Sequence, residues 1–570
     1  MNLTGKFNAL VKWDTPYRKR LALAGVAGVG LACAYPKLNW AGLAWVVPAI
    51  WLLCSMGRSG RERFYIGLVG GLCFCLPALH WFRYIPYPIA PYIGWVALSA
   101  YLALYPAFWV WLCWRIFPAR LEGDGSEATL PQLVERFFSV SWAARAAWIL
   151  SCAVIWVATE MLIGSLLTGF PFLFLGISQQ TITPMIQIAS ITGVCGVSFL
   201  VVWFSVGLAS ACLLVIHRPG RHWLWARELG LPGLAAAAAL VFGVLRVSDS
   251  VAPQPGEAAA SDGHVRTLRI ALVQPSIPQT VKWDDEANLK AFQIIQDLSA
   301  EAMKDKPDVV IWPEAAMPKL LQYDEDTYRT VTSFARENKV WMLIGGEDAI
   351  AGEGPEGEKN PKFFNSAFVV TPEGEVDMES KYDKRHLVIF GEYVPLADWL
   401  PFLRVFSPVG SGFTAGTEPV WMKFDETEKF RVAPLICFED CVASLAREHV
   451  DAETDFLLNL TNDGWFGASS QQWQHAANSA FRAVENGVPI VRCANNGLSC
   501  WADKYGVLHG VEFENGQSIY EAGYKIVELE FRRPRAPGQT TFYNRHGDWF
   551  GWGCVLLSAA LLAQTFRKRA

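Results

Sequence analysis

Long apolar runs separated by short basic stretches fill the first 250 residues, and shorter apolar runs alternating with amphipathic ones follow. An apolar run of roughly 17 residues or more with few charges predicts a membrane-crossing helix. Such runs lie at 21–36, 39–56, 65–82, 92–114, 146–168, 185–216 and 231–248, with a last one at 549–566. The 185–216 run is long enough to tilt or to begin with an interfacial segment. The first run follows Arg18-Lys19-Arg20 and ends Ala32-Cys33-Ala34, which also suits a cleaved signal peptide, but the many later runs favour a retained helix. Val251 to Gly263, rich in Pro, Ala and Gly, reads as a linker. Beyond it, strands are predicted at 267–273, 308–312, 340–345, 366–371, 432–436, 456–460 and 489–493, and helices at 286–304, 326–338 and 472–486. That rhythm argues for an α/β sandwich with helices covering its sheets. The expected organisation is a polytopic α-helical membrane domain at 1–250 with seven spans and a linker at 251–264. An α/β domain at 265–540 follows, then a C-terminal span and basic tail at 541–570.

The basic residues orient this arrangement. Lys6, Lys12 and Arg18 to Arg20 precede the first run; Arg58, Arg61 and Arg63 follow the second. Arg115, Arg120, Arg136 and Arg145 follow the fourth, Arg218, Arg221 and Arg227 the sixth, and Arg567 to Arg569 the last. The alternate loops carry only Lys37 and Arg83. Lys and Arg accumulate on the cytoplasmic side, so every second loop and both termini are expected there, and the α/β domain outside. Composition agrees: 52% of the 570 residues are hydrophobic and 18% charged, too apolar for a soluble chain. A net charge of −5 with no basic, aromatic-studded tract gives no ground for a nucleic-acid partner. The 13 cysteines form no CxxC pair or His/Cys ligand spacing, so no metal site and no disulfide framework is expected. No phosphate loop or nucleotide fingerprint calls for a cofactor.

Three segments of the α/β part carry reactive groups. Val432 to Ile436 is a β-like run that delivers Cys437 and stops, and Val442 to Arg447 then reads as a helix. A cysteine beside a helix N-terminus is expected to favour its thiolate; the alternative is a small buried hydrophobe at a strand end. Val309 to Trp312 leads through Pro313 to Glu314, a carboxylate at the mouth of a buried strand. Lys384 lies in the polar segment Lys381 to His386, just before an apolar stretch. Singly each has a plain reading: a helix-start acid, a solvated charge, a core thiol. Together Glu314, Lys384 and Cys437 make a complete set for covalent catalysis.

The motifs Trp312-Pro313-Glu314, Tyr382 to Leu387, Phe390-Gly391-Glu392 and Ile436-Cys437-Phe438-Glu439 resemble those of the nitrilase, or carbon–nitrogen hydrolase, superfamily. With several N-terminal spans and one C-terminal span, the chain resembles the membrane-anchored apolipoprotein N-acyltransferase family within it. Val273 to Gln279, Trp283, Asn462 to Gly467, Arg482 to Asn486, Asn495-Asn496-Gly497 and Thr541 to Trp549 extend the resemblance over essentially the whole chain. Phe438 departs from the family pattern, which has Tyr there. The resemblance implies a nitrilase-like αββα sandwich on the periplasmic side of a bacterial inner membrane, in a chain acting as a monomer.

It also implies a two-step acyl transfer. Cys437 would take a fatty acyl chain from a membrane phospholipid as a thioester and hand it to the α-amine of a diacylglyceryl-cysteine on an apolipoprotein. Glu314 would be the general base and Lys384 the oxyanion stabiliser, helped by backbone N–H groups near Cys437. Glu392 and Glu439 would orient Lys384 or tune its charge, or else form structural ion pairs, with Phe438 between Cys437 and Glu439. Trp283 and Trp465 are expected to line the substrate path. The stretch Val394 to Phe406 is unusually apolar for a loop and reads as an arm dipping into the bilayer interface, with Trp399 and Phe402 as anchors, or else as a buried core segment. Two other readings compete: a membrane-tethered amidase that uses water as acceptor, and a transporter or scaffold whose outer domain is inactive. The full reactive set and the absence of paired acids within the spans, where Glu160 stands alone, weigh against the last.

Overall fold

In the computed structural model, residues 16–119, 121, 129–248, 264–278, 285–351, 361–397, 399–406, 412–425, 430–513, 516–533 and 540–567 are described. The chain forms two compact units. One comprises Met1–His80, Tyr92–Ser248 and Asp548–Ala570; the other comprises Trp81–Pro91 and Asp249–Gly547. The loop Trp81–Pro91, read from sequence as part of the membrane domain, thus belongs to the α/β unit, as do the residues from Thr541 to Gly547.

The first unit is helical. Its principal helices are α1 (Tyr17–Ala32), α2 (Val47–Ser55), α3 (Gly60–Ala78), α4 (Ala90–Arg115), α5 (Leu130–Ser139), α6 (Trp142–Ile163), α7 (Val194–His217) and α8 (Trp225–Ser248). Among the described residues, α4, α6, α7 and α8 are long and apolar enough to cross a membrane; 41–55 and 549–565 are shorter apolar helical segments. The run expected at 185–216 becomes a helix only at Val194. Residues 164–193 instead make brief 3-10 and single helical turns, broken by positive φ at Leu167, Thr168, Gly169 and Gly193. This irregular backbone is held by side chains from its surroundings, as apolar depth requires. Glu160 accepts from the Leu175 N–H (2.7 Å), the Ser198 hydroxyl from the Gly176 N–H (2.8 Å), and the Tyr35 hydroxyl donates to the Leu173 carbonyl (2.8 Å). Glu160, singled out above, therefore anchors backbone. Small residues allow α1 and α3 to touch: a Cβ on Gly28 would lie 2.1 Å from the Gly70 carbonyl oxygen.

The second unit is a four-layer sandwich. One sheet runs β12-β1-β2-β3-β4-β5, from β1 (His264–Gln274), β2 (Val309–Trp312), β3 (Trp341–Ile350), β4 (Lys362–Val370), β5 (Val376–Asp383) and β12 (Gly523–Arg533). The other runs β11-β10-β9-β8-β7-β6, from β6 (Met422–Phe424), β7 (Phe430–Ile436), β8 (Phe456–Thr461), β9 (Ile490–Ala494), β10 (Cys500–Ala502) and β11 (Leu508–His509). Pairings β1–β2, β2–β3, β7–β8 and β8–β9 are parallel, and the edges antiparallel. Side-chain alternation divides the core. Leu268, Ile270, Leu272, Val309 and Ile311 meet Val432, Ile436, Phe456, Leu458 and Val491 between the sheets. Their neighbours Ala271, Val273, Val310 and Trp312 face outward and are covered together with Phe292 and Ile295 of α9 (Asp285–Ala302) and Val331 and Ala335 of α10 (Glu325–Asn338). On the other sheet Ala433, Leu435 and Leu457 pack with α11 (Ala443–Glu448) and α12 (Gln471–Asn486). Strands buried on both faces read as unbroken apolar runs, which is why these were legible. The unit ends in a short α13 (Phe542–His546), and α14 (Trp549–Arg567) returns to the helical unit. All 13 cysteines are free, Cys493 and Cys500 included.

Candidate active site

Strand ends build this site. Glu314 comes two residues after β2, Lys384 directly after β5, and Cys437 directly after β7, each at a carboxyl end where chain turns off the sheet. Close backbone approach sets the first turn: a Cβ on Gly345 of β3 would lie 2.3 Å from the Pro313 oxygen and 2.8 Å from the Glu314 Cα. Only glycine fits there without moving Glu314.

Lys384 is 1% exposed and is held by two carboxylates. Its Nζ lies 2.8 Å from Glu392 Oε1 and 3.6 Å from Glu314 Oε1. Asn365 Nδ2 donates to both acids, at 2.8 Å to Glu314 and 3.1 Å to Glu392. Burial alone would discharge the lysine, but Glu392 and Glu314, with Cys437, outweigh it and keep its pKa above the ordinary lysine value. Glu392 is fixed in turn by the Val388 N–H (2.9 Å).

Cys437 sits at φ +55°, in the left-handed region, opening a 3-10 turn through Cys441. Such a conformation costs on the order of 1–3 kcal/mol and persists where the surroundings over-determine it. The helix lies where it was expected, with α11 starting at Ala443. That N-terminus is six residues beyond Cys437, and a helix field fades within about a turn, so the thiol gains little from it. Cys437 keeps some exposed surface, yet the dense packing around it and the Glu314 carboxylate push the thiol up to about 12, against the pull of Lys384 and His475. The resting group is a thiol needing a base, which reverses the thiolate expectation. Desolvation outweighs a distant dipole.

Glu439 does not touch Lys384. Its fully buried carboxylate accepts from the N–H groups of Ile436 (2.7 Å), Arg385 (2.7 Å) and His386 (2.9 Å), and from the Tyr382 hydroxyl (2.9 Å). It ties the chain after β5 to the chain after β7, fixing the lysine-bearing and cysteine-bearing turns to each other. The Phe438 ring stacks near the His386 ring, with centroids 6.0 Å apart. Trp465 is half-buried in the turn Asp463–Phe466, and the neighbouring Phe466 ring meets Trp81 edge-on at 4.8 Å. Trp283 lies outside the described residues. The arm is not core: Trp399 is 85% and Phe402 62% exposed, with the Tyr87 hydroxyl donating to the Val405 carbonyl at 3.1 Å.

Sequence reading missed several buried polar residues beside the cysteine: Asn459, Asp440, Asp463, His475 and Arg492. The Cys437 carbonyl accepts from Asn459 Nδ2 at 3.1 Å and lies 3.3 Å from His475 Nε2. Asp463 fell within a quoted motif and His475 within a predicted helix, but linear spacing gave no sign that they meet under Cys437.

Residues 27–207 match the apolipoprotein N-acyltransferase N-terminal domain, and residues 269–521 match the carbon–nitrogen hydrolase family. An apolipoprotein N-acyltransferase of Geobacter metallireducens is 33% identical over 98% of this chain and 97% of its own length. The chain belongs to the apolipoprotein N-acyltransferase family. A Vibrio vulnificus member is 29% identical over 97% of each chain. Among solved structures, an amidase of the nitrilase superfamily from Nesterenkonia AN1 is 18% identical, with a TM-score of 0.34 over 46% of this chain and 90% of its own. A carbon–nitrogen hydrolase from Helicobacter pylori is 16% identical, with a TM-score of 0.34 over 46% of this chain and 89% of its own. Family membership makes the chain an acyltransferase with a nitrilase-type fold.

Proposed function

We propose that this acyltransferase moves a fatty acyl chain from a membrane phospholipid to the N-terminal diacylglyceryl-cysteine of an apolipoprotein, through a thioester on Cys437. In the first half, Glu314 takes the thiol proton as Sγ attacks the phospholipid ester carbonyl. The C–O bond then breaks, and the leaving alkoxide recovers that proton to give lysophospholipid. In the second half, Glu314 takes a proton from the lipoprotein α-amine as it attacks the thioester. The C–N bond forms, the C–S bond breaks, and Cys437 regains a proton. Lys384 stabilises the oxyanion of each tetrahedral intermediate, with Glu392 holding its ammonium in place.

The observation carrying this reading is the convergence of a carboxylate, a buried charged lysine and a thiol at the carboxyl ends of β2, β5 and β7. A thiol that rests protonated needs an adjacent base, and Glu314 is the carboxylate acting most strongly on it. The exposed aromatic arm supplies a way for lipid substrates to reach the site at a bilayer interface. The Lys/Arg asymmetry of the loops supports placing the α/β unit outside the cytoplasm after seven spans. We further take the membrane to be a bacterial inner membrane, with the unit on its periplasmic side, and a single chain to be the working form. Mass spectrometry of protein incubated with phospholipid alone tests it: an acyl mass on the peptide containing Cys437 is expected. An acyl group elsewhere, or none, refutes the reading.

A further inference from the structure

Beneath the cysteine turn lies a charged cluster that neither half-reaction uses. Asp440, Asp463, His475 and Arg492 are each at most 1% exposed. They come from the turn after β7, the turn after β8, α12 and β9. His475 Nδ1 lies 2.8 Å from Asp463 Oδ1, and Nε2 lies 2.7 Å from Asp440 Oδ1 and 3.3 Å from the Cys437 carbonyl. Arg492 pairs with the same two acids, Nη1 to Asp440 at 2.5 Å and Nη2 to Asp463 at 3.3 Å. A neutral imidazole has one N–H and one lone pair, whereas ionised carboxylates only accept. With a carboxylate on each nitrogen, the ring fits as imidazolium, and two cations balance two anions. Although burial opposes it, Asp440 and Asp463 hold His475 charged well above the usual histidine range, against Arg492 and with a small contribution from Cys441. Asp440, Cys441 and His475 bring donor atoms within 4.8 Å of one another, but a doubly protonated ring has no lone pair for a cation.

We propose that His475 is a positioning residue for the nucleophile, gripping the Cys437 carbonyl from a scaffold of Asp440, Asp463 and Arg492. The peptide is planar and trans, so fixing the Cys437 carbonyl also fixes the Phe438 N–H, which points the opposite way. Asn459 holds the same carbonyl from β8. These two donors over-determine a turn whose left-handed cysteine would otherwise relax. The imidazolium also contributes positive charge that eases thiolate formation once Glu314 draws the proton away.

This rests on Cys437 being the nucleophile, and the test separates the two claims. Acyl-enzyme formation from phospholipid vesicles is measured for the wild-type chain, Cys437→Ala and His475→Gln, alongside thermal midpoints and the pH profile of Cys437 alkylation by iodoacetamide. Cys437→Ala should form no thioester; if it retains turnover, the nucleophile reading fails. His475→Gln should form thioester more slowly, on the order of 10²-fold. Its phospholipid KM should be unchanged, and its alkylation midpoint should shift upward. A His475→Gln protein with wild-type acylation and an unmoved alkylation profile overturns the proposal, and so does slower acylation with that profile unmoved. Should His475→Gln fail to fold, histidine-selective ¹⁵N spectra of the unmutated protein decide: at least one of its nine rings must stay doubly protonated at pH 8.5. If none does, the proposal falls.

Discussion

At the scale of single residues, the site is a balance of charges around a dry thiol. Glu314 and Lys384 act on Cys437 in opposite senses, which separates them experimentally. Glu314→Gln removes a negative charge, so the alkylation midpoint of Cys437 should fall; Lys384→Ala removes a positive one, so it should rise. Both variants should nevertheless lose thioester formation, one for want of a base and the other of an oxyanion partner. The Lys384 effect is expected at roughly 10²–10³ in rate. Lys384→Arg should not rescue, because a planar fork cannot occupy the place of a compact ammonium between Glu314 and Glu392. An unmoved midpoint in Glu314→Gln would show that its carboxylate does not face the thiol. Lys384→Ala should also lower the thermal midpoint, since it leaves the buried Glu314 and the partly buried Glu392 carboxylates without their cation, a loss of up to about 3–5 kcal/mol. Cys437→Ser should give no turnover, because an alkoxide is far harder to generate than a thiolate and the nearby histidine is engaged on both nitrogens.

At the scale of elements, strand ends aim the groups, and the exposed arm is the proposed entry for substrate. Gly345→Ala pushes a Cβ into the backbone of Pro313 and Glu314. It should cost about 1–3 kcal/mol of stability by overpacking and depress thioester formation although no reactive group is changed. Normal acylation in a folded Gly345→Ala protein would mean that the β3 contact does not set the position of Glu314. The arm predicts the converse. Trp399 and Phe402 contribute little to the core, so replacing both by Ala should leave the thermal midpoint in place. If their rings enter the bilayer, each loses about 1.5–3 kcal/mol of burial. The KM for vesicle phospholipid should then rise at least tenfold with kcat nearly constant. An unchanged KM would take the arm out of the lipid route.

At the scale of the whole molecule, the proposed orientation rests on loop charge. In a cysteine-free background, a cysteine replacing Asn338 at the end of α10 should be labelled by an impermeant maleimide from outside the membrane. One replacing Arg567 should be labelled only after permeabilisation. The opposite pattern would put the α/β unit in the cytoplasm and overturn the charge argument.

The sequence by itself determined the class of this protein, because two of its signals are local. Apolar runs are dictated by the hydrocarbon they must match, and doubly buried strands by the layers that cover them, so both show in consecutive residues. Cys437 and Glu314 were legible for a similar reason, since they lie at and just beyond the ends of such strands. Lys384 follows the partly exposed edge strand β5 and was marked only by its polar segment and by the resemblance carried by Tyr382 to Leu387. Tertiary structure alone decided what depends on groups far apart in the chain. It ended α6 at Ile163, short of the run read to 168, and delayed the helix of the run read at 185–216 to Val194, with the turns between held by Glu160 and Ser198 in place of helical hydrogen bonds. It turned Glu439 away from the lysine and onto three backbone N–H groups, because a buried carboxylate takes the donors within reach. It raised the Cys437 thiol, because desolvation depends on everything packed around an atom and no stretch of sequence records that. It also gathered Asp440, Asp463, His475 and Arg492 from four elements under one carbonyl.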